Sequence, residues 1–473
     1  MSALAPAADI HAQPSPDVAP LASAGRGEAR WSLAFLGTVL YVLIEYTRLA
    51  AMFPVLAGWH IAKIAVGITF LGLLLAPRAQ LAARSRSRTV DLLLLAFLAT
   101  SLVSTLLARD SEFAWTAYGT MARWVVVCFM ISRVANSSWR FRFLVFFLLL
   151  LNLKLGQFQI RSYFAGSSMS EEVLAEAGAG SIGFFANSND FGVAMCVVWP
   201  LAGVLFFGER KKYVRVFLLV CFLVFGTALL LSGSRGALVG ALATALAAFF
   251  LTPKKLMGPL MAGVILLGAS YLLPSANQKR LQSMVEWEQD TNAKTRINLW
   301  KAGIRMFLEN PVLGVGPGNF RPTYATYQQG PLDPHRVLAP HSIYVQALSE
   351  LGLLGGLTVF ALLWLGLHLN TQAMRWQFNP ALRRQNLLYY QAFALTLALV
   401  GFLVSGAFLT VLYYPHLWIL LGLSVGLHNF CARQEGPLPD RQPDALPAPQ
   451  WNVLKPVHAG QSEKNRGCYT ALR

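Results

Sequence analysis

Twelve apolar runs, each close to the roughly 20 residues that a membrane-spanning helix needs, follow one another between Trp31 and Phe430 and leave this chain little choice of fold. They lie at about 31–47, 55–76, 90–108, 114–132, 143–160, 189–207, 213–231, 235–251, 256–273, 342–367, 388–412 and 415–430. Apolar residues make up 55% and charged residues only 13% of the 473, more greasy surface than one soluble core could bury. The expected fold is an all-α polytopic membrane protein of about twelve transmembrane helices. The SGSR turn alone separates the seventh and eighth runs, and Tyr413-Tyr414-Pro415 the last two. Each pair reads as a tight helical hairpin.

Charge gives the orientation. Short loops on one side carry 16 Lys and Arg, in clusters such as Arg210, Lys211, Lys212 and Arg215. Those on the other side carry 4, namely Arg48, Arg109, Arg161 and Arg235. Basic residues stay on the cytoplasmic side. Both termini are therefore expected in the cytoplasm, with the segment 274–341 and a second loop, Arg161 to Ser188, outside. The net charge of +17 reads as topology, because no continuous basic arm suits nucleic acid. The expected organisation is a disordered tail at 1–30, nine spans over 31–273, an outer loop at 274–341, three spans over 342–430 and a second tail at 431–473. The first tail lacks a cleavage site behind a short apolar core, and so is no signal peptide. Cys128, Cys196 and Cys221 fall inside apolar runs as small buried hydrophobes, with no CxxC pair.

One long polar segment, Thr291 to Gly356, is caught between the spans. It opens as an amphipathic helix, with Arg296, Trp300, Gly303 and Phe307 at helical spacing and Pro311 ending the pattern. Arg296 suits a solvated face with its stem on Trp300, or an outward basic cluster with Lys294, Arg305, Arg321 and Arg161 that would take a pyrophosphate. Arg235 suits a snorkelling charge, or an anion site in which Ser232, Ser234 and flexible Gly233 and Gly236 converge with the guanidinium on a phosphate. His341, after Pro340, suits a helix cap or a general base, because the positive helix end disfavours imidazolium. Gln346 and Glu350 share one face of the next helix, where Glu350 faces the bundle interior. His335 ranks below His341. His60, His368, His416 and His428 read as packing residues. Gly314 to Phe320 does not match GxGxxG and is a turn. No P-loop, DxD or His/Asp cluster stands out, and Glu286 to Asp290 is the nearest acidic group, so neither metal nor cofactor is expected.

The SGSRG turn, the TRxxLW and MFxxNPxxGVGPGNF loop and the PHSxYVQxLSExGLLGG helix together resemble the O-antigen ligase and Wzy-type polymerase family of bacterial envelope glycosyltransferases, over about residues 180–365. The resemblance implies about twelve helices with a large periplasmic loop in the bacterial inner membrane. It also implies metal-independent, inverting transfer of a glycan from undecaprenyl pyrophosphate to an acceptor, either lipid A core or another glycan. Matched motif by motif, the functional arginines fall on Arg235 and Arg296 and the catalytic histidine on His341, with Arg161 added as a third pyrophosphate ligand. Trp300, Arg305, Arg321 and Glu350 stand as supporting residues. Asn187 and Asn189 match the family's pattern without a role. Ligase is the preferred reading, with polymerase and protein glycosylation as other acceptor choices. A small-anion transporter and a non-catalytic scaffold belong to other classes.

Overall fold

The computed structural model describes residues 31–47, 53–76, 87–165, 188–251, 258–264, 291–329, 339–379, 384–385 and 387–434. Thirteen helices carry labels here. They are α1 (Leu33–Thr47), α2 (Ile61–Leu74), α3 (Ser87–Leu106), α4 (Ser111–Val134), α5 (Ser138–Phe164), α6 (Ser188–Gly208), α7 (Lys212–Leu231), α8 (Arg235–Leu251), α9 (Thr291–Glu309), α10 (Phe320–Tyr327), α11 (Ile343–Trp376), α12 (Leu387–Gly406) and α13 (Pro415–Gln434). A two-residue antiparallel pair, Phe378–Asn379 with Arg384–Gln385, is the only strand pairing among the described residues. Seven of these helices (α3 counted from Arg88, α4, α5, α6, α7, α11 and α12) are long and apolar enough to cross a membrane, and α1, α2 and α8 are shorter apolar helices. Of the expected ninth span, 256–273, only 258–264 is described, as helix. Both expected tails, apart from residues 431–434, lie outside the described residues, as do His335, Asn187 and Glu286 to Asp290.

Local signals set the helix starts. Asp110 caps α4 by accepting from the amides of Glu112 and Phe113, and Ser137 caps α5 by accepting from Arg140. In the middle stands α6, buried along almost its whole length and packed on α12, α7 and α8. Small residues allow close crossings, as where Gly401 meets Thr244 and Cys196. The end away from the polar loop is tied by the Arg133–Asp91 ion pair and by Arg142–Glu209 at 2.6 Å.

Three expectations are corrected. The run 55–76 is not one helix: a 3-10 turn, Pro54–Trp59, precedes α2, and His60 between them has φ 47°. The run 342–367 is a longer helix, α11, broken at Gly352, where φ is 64° and ψ −161°. The last two runs form no tight hairpin, because α12 stops at Gly406 and Pro415 opens α13. An eight-residue irregular connection, Ala407–Tyr414, lies between them.

The break in α11 has a specific partner. The amides of Val315 and Gly316 donate to the carbonyls of Ser349 and Glu350 at 2.9 and 3.0 Å, and the amides of Leu353 and Leu354 donate to Pro311 and Val312 at 2.8 and 3.2 Å. The loop after α9 therefore supplies the backbone hydrogen bonds that the helix loses, which an interrupted helix in a bilayer requires. A Cβ at Gly352 would come within 2.5 Å of the Gly314 amide nitrogen, and its φ/ψ region is essentially reserved for glycine. Gly352→Ala is expected to cost at least about 1–3 kcal/mol from backbone strain alone. It should lower the thermal unfolding midpoint in detergent; an unchanged midpoint would show that the break is not built as described.

Candidate active site

The connection Ala407–Tyr414 gathers the site. On one side the amide of His341 donates to Thr410 Oγ1 at 2.9 Å, and Gly406 packs on Ile343. On the other, Gly236 faces Phe408 and Leu409. Tyr413 donates to Glu350 at 2.5 Å and Tyr414 to Asp190 at 2.6 Å. His341, the Arg235 turn, Glu350 and the start of α6 are thus held by one short segment.

His341 itself is not a cap. Ser342 takes that role by accepting from Val345, which leaves the imidazole available. Its backbone has φ 46°, an uncommon conformation for a non-glycine residue. Burial, and then the Arg296 guanidinium nearby, push its pKa down to about 4. The ring is therefore neutral at pH 7, for these two reasons rather than through the helix dipole expected from the sequence. Trp300 Nε1 donates to the carbonyl of Pro340 at 3.0 Å and so fixes α9 beside the histidine.

Arg296 rides on α9, whose buried stripe is Leu299, Ala302, Gly303 and Met306. Arg296, Trp300 and Phe307 flank that stripe half-buried, so the expected face is shifted by one position. The stripe forms a second core with Val315, Phe320, Tyr324 and Tyr327. Gly303 lies so close to Val345 that no side chain would fit. That close packing presents the first half of α9 to the start of α11.

Arg235 is the first residue of α8 and half-buried. A cation at the positive end of a helix is disfavoured by about 0.3–1 kcal/mol. Its place there makes sense for an anion to come, since guanidinium and helix end attract the same charge. The two serines do not converge on a ligand as expected. Ser232 donates to the carbonyl of Leu229 and accepts from Ser234, while Ser234 caps Ala237, and both are buried. They build the turn and Arg235 projects from it.

The remaining expected residues divide. Arg161 is exposed in the last turn of α5, near the level of the Arg235 turn, since Gly156 one and a half turns earlier meets Ala228 of α7. Arg321 is exposed and has no partner among the described residues. Arg305 is committed to the loop, donating to the carbonyl of Tyr327 at 2.8 Å. Glu350 is a structural anchor: it accepts from the amide of Phe320 at 3.3 Å, from Gln346 at 3.3 Å and from Tyr413. Asn189 is half-buried at the start of α6. The sequence reading missed Asp190, Thr410, Tyr413 and Tyr414. The Tyr-Tyr-Pro punctuation was the signal for the last two.

Residues 217–360 match the family model described as O-antigen ligase. The segment is an O-antigen ligase domain. No match is found among curated proteins. The ligase domain runs from α7 to the first half of α11 and contains Arg235, Arg296, Trp300, Arg305, Arg321, His341 and Glu350. Arg161, Asp190 and the Ala407–Tyr414 connection lie outside it. The domain match and the apolar helices together point to a multi-pass membrane protein with an O-antigen ligase or polymerase-type domain.

Proposed function

We propose that the protein transfers a glycan from undecaprenyl pyrophosphate to lipid A core at the periplasmic face of the inner membrane. The observation that carries this reading is a neutral, half-buried histidine beside Arg296, joined to Arg235 through the Ala407–Tyr414 connection, with all three side chains within the ligase domain. Arg235 and Arg296 hold the donor pyrophosphate, and Arg161, exposed at the end of α5, joins them in this reading.

In the reaction an acceptor hydroxyl attacks the anomeric carbon from the face opposite the pyrophosphate, so the configuration inverts. The acceptor O–H bond breaks and its proton passes to the His341 imidazole. The bond from the anomeric carbon to the pyrophosphate oxygen breaks, and its electron pair leaves with undecaprenyl pyrophosphate. One negative charge is gained there, and the fixed guanidinium groups stabilise it. Two arginines in this role do the work that a divalent cation does elsewhere, so no metal is needed.

Acidification has a defined effect. His341 loses its base function only as the pH falls through about 4, so transfer should hold from neutrality to about pH 5 and then decline. In Arg296→Ala the neighbouring cation is gone and imidazolium is less disfavoured. The acid limb then moves to higher pH, toward but not reaching 6.5, because burial remains. A limb that stays in place would remove Arg296 from the histidine's surroundings.

Acceptor choice is tested with purified protein in proteoliposomes, lipid-linked donor, and either lipid A core or excess donor. Glycan on lipid A core supports the ligase reading. A ladder on the carrier lipid would make the protein a polymerase, which the same site chemistry serves.

A further inference from the structure

A cavity of about 760 Å³ opens between α1, the Pro54–Trp59 turn, α2 and α4, away from the histidine and arginines. That volume lies inside the roughly 300–1,000 Å³ range of sites for small ligands. Its walls are largely apolar, with Ile44, Leu56, Ile61, Val66, Ala122 and Val126 among them. Lys63, Arg123 and His60 also line it, against the single carboxylate of Glu45, which accepts from Tyr41 at 2.9 Å. Two fixed cations outweigh one carboxylate, so the cavity suits an amphiphile with an anionic, hydroxyl-bearing head. Around it, Leu40, Ile64 and Leu71 are exposed. Exposed apolar side chains on short apolar helices suit contact with lipid.

The cavity and the loop that braces α11 share a wall. One face of α4 meets the Gly316–Gly318 stretch of the loop, where Gly318 approaches Phe113 and Ala117. Another face of the same helix carries Gly119, Ala122, Arg123 and Val126 to the cavity. Between the two, Asn319 and the backbone of Asp110 exchange hydrogen bonds of 2.8 and 2.9 Å. Cationic Arg109 stands at the same junction and donates to Thr326 at 3.4 Å. A molecule anchored in the cavity would thus present its head group along α4 toward the loop that braces α11.

Transfer between two lipid-anchored molecules needs two anchoring sites, and the arginine centre supplies one. We propose that this cavity seats part of the acyl region of the acceptor, a phosphorylated, multiply acylated glycolipid of the lipid A core type, with Lys63 and Arg123 on its phosphates. The assignment rests on the ligase reading above. Tyr41 and Glu45 offer hydrogen bonds to sugar hydroxyls, and a phosphorylated disaccharide presents more hydroxyls and more charge to them, to Lys63 and to Arg123 than a single phosphoglycerol head does.

The test is equilibrium binding of fluorescent lipid A core to the purified full-length protein in detergent, with dioleoyl phosphatidylglycerol as competitor and undecaprenyl pyrophosphate binding measured in parallel. A Cβ at Gly119 meets nothing within 4 Å and the residue lines the cavity, so Gly119→Trp sends an indole into that space from an open position. Gly119→Trp should weaken lipid A core at least tenfold and leave undecaprenyl pyrophosphate binding intact, and Lys63→Gln with Arg123→Gln should do the same. Unchanged lipid A core affinity in both variants would overturn the assignment. So would phosphatidylglycerol competing on equal terms, which would make the cavity a site for bulk phospholipid. If the wild type binds lipid A core in the cavity but never binds undecaprenyl pyrophosphate, the ligase reading itself fails and the acceptor role falls with it.

Discussion

His341→Ala is expected to lower glycan transfer by about 10² to 10⁴-fold, the usual contribution of a positioned general base, with donor binding unchanged. The side chain bonds to none of the described residues that shape the fold: the backbone amide, not the ring, holds Thr410, and Ser342 caps α11. Alanine therefore removes the proton acceptor and keeps the connection to Ala407–Tyr414. Binding of labelled undecaprenyl pyrophosphate, measured beside the transfer rate, separates lost chemistry from lost fold. A variant with near-normal transfer would mean that some other group takes the proton.

Arg235→Ala is expected to act on the donor. The guanidinium at the start of α8 is half-buried where the helix already attracts anions, and its loss removes a fixed charge from the leaving group. Loss of one such stabilising donor costs about 10² to 10³-fold in rate. Here the donor affinity should fall as well, because the pyrophosphate is charged before the reaction as well as after it. Arg235→Lys should recover only part of this, since an ammonium lacks the planar fork that holds two phosphate oxygens at once. Full recovery by lysine would reduce the role of Arg235 to charge alone.

The turns and helix starts that carry the candidate residues are legible in the sequence, and the features that are not share a physical cause. The SGSR turn and the Pro-His start of α11 are local signals, and both sit where the sequence put them. The serines of that turn were misread because their hydroxyls bond within it, to Leu229, Ser234 and Ala237, and that competition is invisible in a motif. The Gly314–Gly316 turn was recognised as a turn, but its use was not. Its amides complete the hydrogen bonds of a distant helix break, Val315 and Gly316 donating to Ser349 and Glu350 just before Gly352. The end of α12 was hidden because Ala407, Phe408, Leu409, Val411 and Leu412 prolong the apolar run past the helix itself. Apolar composition reports burial, and it cannot distinguish a helix from a buried irregular connection.

The break at Gly352 also bears on the alternative of an anion transporter. Transporters unwind helices to line a path for their substrate. In α11 the exposed backbone is instead closed by residues 311–316, and Glu350 beside it is taken up by Phe320, Gln346 and Tyr413. That pattern favours a rigid platform for His341 over a moving gate.

The central claim is tested most directly by one side-by-side measurement. Wild type and His341→Ala, purified and reconstituted, are supplied with undecaprenyl-pyrophosphate-linked glycan and lipid A core in EDTA, and glycan on the acceptor is followed on a gel. The account predicts product from the wild type despite the chelator and almost none from the variant, with both proteins binding donor equally. Equal product from the two, or none from a wild type that binds donor and acceptor, would contradict it.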